Sequence, residues 1–169
     1  MRPAGRWLGW SSLAAAVAMG ACGGQLDRHE QTAQGPTSRD VFIARSQAVN
    51  GRAPSFDETR IWEQQVDARV TRYLDEHPAL QQSPRYLDLR FWRQVTPGAS
   101  RGEVELLLDA PQERTIDPAL MAVLANRHWE EIARTAREAW VYYDWVVFFD
   151  DGAVVENVRR VGALAPRYD

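Results

Sequence analysis

The chain contains no lysine, so all twenty of its basic side chains are arginine. Arginine suits bidentate recognition of carboxylates and phosphates, but a bias this uniform is explained by codon usage and says nothing about function. Cysteine is nearly absent. Cys22 is the single thiol, so no internal disulfide can form and a folded domain must be held by its core alone. The formal charge is −3 with the basic residues scattered, which excludes the concentrated basic face that a nucleic-acid partner requires. No G-x-S-x-G, H-E-x-x-H, P-loop or dinucleotide fingerprint occurs, and these are the patterns that bring a nucleophile, metal or phosphate cradle together. The expectation is therefore a protein that is not an enzyme, with no catalytic residue, metal, cofactor or small-molecule substrate.

What is present is ordinary for a globular protein. Of the 169 residues 45% are apolar and 25% charged, enough for one domain and an appendage. Residues 1–21 are laid out as a secretory signal. Arg2 and Arg6 precede an uncharged stretch of thirteen residues, Trp7 to Met19, and then the small residues Gly20 and Ala21. That stretch falls short of the roughly 20 residues needed to span a bilayer. The tetrad Met19-Gly20-Ala21-Cys22 resembles the lipobox of bacterial lipoproteins, with Met where that family prefers Leu. The resemblance implies cleavage before Cys22, acylation of its thiol and new amino group (palmitate among the chains), and anchoring to a membrane. Gly23 follows, whereas Asp at that place favours inner-membrane retention in enteric lipoproteins. The implied location is thus the outer membrane, facing the periplasm.

Residues 22–54 read as a flexible tether, rich in Gly, Gln, Ser and Thr, with one apolar patch at Val41-Phe42-Ile43 that could pack onto the domain. A coil of this length spans about 30 Å. The domain is placed at 55–161 and a tail at 162–169. Ser55 and Glu58 form an S-x-x-E capping box, and Trp62, Val66, Val70, Tyr73 and Leu74 follow at helical spacing until Pro78. Ser83-Pro84 opens a second helix with Leu87, Phe91 and Val95 as its buried stripe. Ser100 and Glu103 cap a short helix bearing Val104, Leu107 and Leu108. Asp117-Pro118 starts a longer one through about Arg137, with Met121, Leu124, His128 and Ile132 on one side. The pattern then changes to Trp140–Phe149, dense in aromatic and β-branched residues, a turn at Asp151-Gly152 and a return strand to Val158. Helices followed by an antiparallel sheet of two to three strands define an α+β fold.

From Val95 to Val158 the order of pieces resembles the SmpA/OmlA family of small outer-membrane lipoproteins, which includes the small lipoprotein subunit of the β-barrel assembly machine. The pieces are Thr96-Pro97-Gly98-Ala99-Ser100, the helix Glu103–Leu108, Asp109-Ala110-Pro111, Trp140-Val141-Tyr142, Val146-Val147-Phe148 and Asp151-Gly152. Asp109 stands where the family has Gly, and the segment near 118–137 is a helical insertion relative to it. The resemblance implies a scaffolding role in envelope maintenance or barrel assembly, with an envelope protein as partner.

Few other side chains point to chemistry. His29 lies in the tether, and His77 precedes Pro78 at a helix end, where a cation complements the dipole. His128, with Glu131 near, reads as a hydrogen-bonded core histidine more readily than as a metal ligand. Asp150 and Asp151 read as turn residues. The aromatic segment is the strongest feature. Continued as one strand, it places Trp140, Tyr142, Val146 and Phe148 on one face and Val141, Tyr143, Trp145, Val147 and Phe149 on the other; a turn at Tyr143-Asp144 is the alternative. Either helices cover both faces, or one face stays bare as a partner surface centred on Tyr143, Trp145 and Phe149. A bare aromatic face would also suit an inhibitor of a periplasmic or extracellular enzyme, resembling the β-lactamase-inhibitor proteins. A small-ligand binder or enzyme would instead require a polar pocket around His128.

Overall fold

Three helices begin on the same reciprocal device. In the computed structural model, which describes residues 35–159, Thr37, Ser55 and Ser100 each accept a hydrogen bond from the backbone three residues on. Asp40, Glu58 and Glu103 reach back to the capping residue's own N–H. Each pair satisfies two backbone donors that a helix start leaves open. The helices are α1 (Ser38–Asn50), α2 (Phe56–Glu76) and α3 (Arg101–Leu108). A connecting segment between α2 and α3 contains a 3-10 stretch (Pro78–Gln82), one α-helical turn (Arg85–Leu87) and a π-helical turn (Asp88–Trp92). After α3 come β1 (Glu113–Thr115), α4 (Pro118–Ala125), a 3-10 turn (Asn126–His128), α5 (Trp129–Ile132), β2 (Glu138–Tyr142), β3 (Trp145–Phe149) and β4 (Val154–Arg159). The fold is α+β, and its sheet is antiparallel in the order β1-β2-β3-β4.

The sheet is buried on both faces. On one, Trp140, Tyr142, Trp145, Val147, Phe149 and Val154 pack with Val41 of α1, Val66, Val70 and Leu74 of α2, Leu89, and Val104, Leu107 and Leu108 of α3. On the other, Ala139, Val146, Phe148 and Val158 pack with Met121 and Ala125 of α4, Ile132 of α5 and Ala136. This covering by the 118–137 region explains why β3 is apolar at every position: a strand enclosed on both faces has no use for alternation.

Several expectations are corrected. The tether of residues 22–54 is not linker throughout, because residues 38–50 form α1. Its capping box, the burial of Val41, and Phe42 stacking on Trp62 at 4.5 Å fasten it to α2. Gly51 ends it at φ 68, a left-handed conformation that glycine adopts without steric cost. The sheet has four strands because Glu113–Thr115 pairs with Ala139–Val141. The helix near 118–137 breaks at Asn126, which has φ 51. The second helix is not a regular α-helix carrying Leu87, Phe91 and Val95 inward; Leu89 and Val95 are buried, while Leu87 and Phe91 are exposed. Of the two alternatives for Trp140–Phe149, the turn at Tyr143-Asp144 is the one found, joining two strands, with Tyr143 at φ 44. That turn reverses the side-chain parity. Tyr142 lies opposite Trp145, and Trp140 opposite Val147, so Trp140 and Tyr142 share a face with Trp145 and Phe149.

The signal segment 1–21, Cys22, His29 and the 162–169 tail lie outside the described residues. No helix among the described residues is long and apolar enough to cross a membrane.

Candidate interaction surface

The three aromatic residues expected to form a partner surface do not stand together in solvent. Phe149 is 0% exposed and packs against Trp140 with ring centroids 4.6 Å apart; the Arg101 guanidinium lies over its ring. Trp145 is 8% exposed, beneath the guanidinium of Arg159. Both are core residues because α1, α2 and α3 cover that face. Tyr143 is half-buried at the β2–β3 turn, where its N–H donates to Gln112 Oε1 at 2.7 Å.

The apolar surface lies elsewhere. Phe91 and Trp92 are each 66% exposed and Leu87 51%. Hydrogen bonds of the π type, such as Arg93 N–H to the Asp88 carbonyl, bring residues five apart into register. Leu87, Phe91 and Trp92 thus lie exposed on one irregular turn, with the edge of Tyr86 against the Phe91 ring at 6.3 Å. The backbone beneath is fixed. Leu89 is buried, Arg90 donates to Thr71 Oγ1 at 2.7 Å and to Asp67 at 3.2 Å, and Arg93 donates to Asp67 at 3.0 Å. Arg85 pairs with the buried Glu103 and donates to the Gly98 carbonyl; burial lowers the Arg85 guanidinium from its ordinary pKa. The aromatics are thus held in water by a clamped segment.

The signal for this surface is present in the sequence but ambiguous. A single α-helical stripe through Leu87, Phe91 and Val95 leaves Tyr86 and Trp92 on its flanks, more aromatic surface than one short helix can bury between Pro84 and Pro97. A second, smaller display lies on the layer covering the opposite sheet face, where Ile116, just before the cap of α4, and Val123 on α4 are each 75% exposed.

The polar candidates resolve as turn and cap residues. Asp150 Oδ1 accepts from the N–H groups of Gly152 and Ala153 at 3.0 and 2.9 Å, and these bonds pull its carboxyl below its ordinary value. His77 Nδ1 lies 2.8 Å from the Tyr73 carbonyl, and its ring stacks on Tyr73. His128 is not the core histidine expected, because the break at Asn126 rotates it off the buried face. It is half-exposed, with Nε2 3.3 Å from Arg127 Nε. Burial raises the carboxyl of Glu156, with His128 and Glu131 acting on it in opposite directions. Among the described residues no group of three His, Cys, Asp or Glu is placed to hold a metal ion.

Comparison with protein-family models, curated proteins and solved structures finds no match to the chain.

Proposed function

We propose that this protein is an exported lipoprotein, anchored by acyl chains on Cys22 to the outer membrane and facing the periplasm. There it acts without catalysis as a protein-binding or scaffolding module. The observation that carries the reading is the tetrad Met19-Gly20-Ala21-Cys22 closing an uncharged stretch behind Arg2 and Arg6, with no second cysteine in the chain. Several acyl chains hold a protein to a bilayer far more firmly than one, since each buried methylene contributes about 0.8 kcal/mol.

The resemblance to SmpA/OmlA lipoproteins supports a role in envelope maintenance or barrel assembly. Asp109 has φ 63, a backbone region favouring glycine at the place where that family carries one. The binding half of the reading draws on Ile116 and Val123, apolar side chains left in water on a domain whose sheet is already covered. The inhibitor reading loses its motivation, because the aromatic sheet face it needs lies under helices.

The test is a photo-crosslinking residue in place of Val123 in the full-length, membrane-inserted protein, irradiated in intact cells. The reading expects a discrete adduct with one envelope protein, absent when the residue replaces exposed Glu113. Equal, diffuse labelling from both positions rejects it.

A further inference from the structure

We infer that Leu87, Phe91 and Trp92 form a membrane-docking patch that seats the domain on the bilayer holding its own anchor. The inference rests on the lipoprotein reading and deepens it, giving the exposed aromatics a lipid surface as their occupant.

The chain enters the described residues at Gly35. Gly35 and Pro36 are bonded to the segment that follows the patch: Gln94 Nε2 donates to the Gly35 carbonyl at 2.8 Å and Val95 N–H to the Pro36 carbonyl at 3.0 Å. Ser38 N–H donates at 2.9 Å to the carbonyl of Arg93, the residue after Trp92. Gly35 has no room for a side chain. A Cβ there would lie 1.8 Å from the Val95 carbonyl oxygen and 2.5 Å from Asn157 Nδ2. The root of the anchor is therefore locked to the strand-like stretch immediately beyond Trp92.

From Cys22 to Gly35 there are thirteen residue steps, which reach at most about 45 Å even fully extended. The tether keeps that root within this distance of the bilayer, and Leu87, Phe91 and Trp92 immediately precede in the chain the Arg93–Val95 stretch that holds it. Their chemistry suits the place. Trp92 and the neighbouring Tyr86 are of the kind found at the membrane–water interface, where an apolar ring is buried and a polar edge stays wet, while Leu87 and Phe91 supply purely apolar surface. The clamp through Arg90, Arg93 and Asp67 means that docking need not order a loop first, which removes part of the entropic cost of association. Ile116 and Val123, on the layer covering the other sheet face, remain available to a periplasmic partner.

The test uses the full-length protein, processed in cells and reconstituted into phosphatidylcholine vesicles with or without brominated acyl chains. Tryptophan emission is compared between wild type and Trp92→Phe, so that the difference isolates Trp92; the mass of the amino-terminal peptide is read from the same sample. Docking expects the Trp92 emission to be blue-shifted and to lose most of its intensity to the bromines, while the emission remaining in Trp92→Phe changes little. Acylated Cys22 with unquenched Trp92 overturns the docking inference and leaves the anchor standing; a protein partner on this face gives that same result in protein-free vesicles. An unacylated Cys22 overturns the lipoprotein reading and the docking inference with it.

Discussion

Replacing Asp109 by glycine and by alanine isolates the backbone strain at the end of α3. Asp109 adopts φ 63 and ψ −164, a region that side chains with a Cβ occupy at a cost of about 1–3 kcal/mol. Its carboxylate pairs with Arg69 and, at 3.8 Å, with Arg45. All three side chains are partly solvated, so each pair contributes about 0–1 kcal/mol. Both substitutions remove these pairs, and both keep the Asp109 carbonyl that accepts from the Tyr142 hydroxyl at 3.0 Å. They differ in the Cβ. Glycine relieves the strain but gives the unfolded chain more freedom, at a cost of about 0.5–1 kcal/mol. Asp109→Gly is therefore expected to be more stable than Asp109→Ala by about 1–2 kcal/mol. The sign is diagnostic, because in a relaxed helical position alanine is the better residue by about 1 kcal/mol. Urea unfolding followed by circular dichroism at equal m-values measures the difference, and alanine equal to or better than glycine refutes the strain argument.

Two further outcomes follow from burial and charge. Phe149→Ala is expected to cost about 3–5 kcal/mol as a large core truncation, whereas Phe91→Ala changes stability by less than about 0.5 kcal/mol; comparable losses in urea unfolding contradict the assignment of core and surface. Glu58 is held at a pKa of about 2, chiefly by its hydrogen bond from Arg52 and then by those from Ser55. A carboxylate depressed in the folded state contributes stability above its unfolded pKa, here 4.5, and that contribution is lost as pH falls toward 2. Glu58→Gln is accordingly expected to flatten the fall in stability between about pH 4.5 and 2, and an identical pH profile for the two proteins rules this out.

The elements legible in the sequence are those whose signals are local. Ser55/Glu58 and Ser100/Glu103 mark helix starts by their own hydrogen bonds, and Asp117-Pro118 does so by an Asp cap on Ala119 N–H with proline at the first position. Elements that depend on distant partners were not legible. The α1 helix carries one buried large apolar side chain, Val41, and is held by Phe42 on Trp62; its cap uses Asp40 rather than Glu or Gln, inside a polar stretch. The β1 strand is three residues long and exists because β2 offers it an edge. The positive φ at Tyr143 and Asn126 falls on residues other than glycine, so neither the parity reversal nor the helix break is announced by a glycine. Of the candidate surface, the aromatics were legible as apolar, but which of them face water was set by the π turn, whose spacing differs from the helical period.

The most direct test of the central claim is the mass of the amino-terminal peptide of the mature protein purified from membranes. The account predicts a chain beginning at Cys22 and carrying thioether-linked diacylglycerol with an amide-linked acyl chain, and the loss of that species together with membrane association in Cys22→Ala. A mature chain that begins elsewhere, or a Cys22 with an unmodified sulfur, contradicts it.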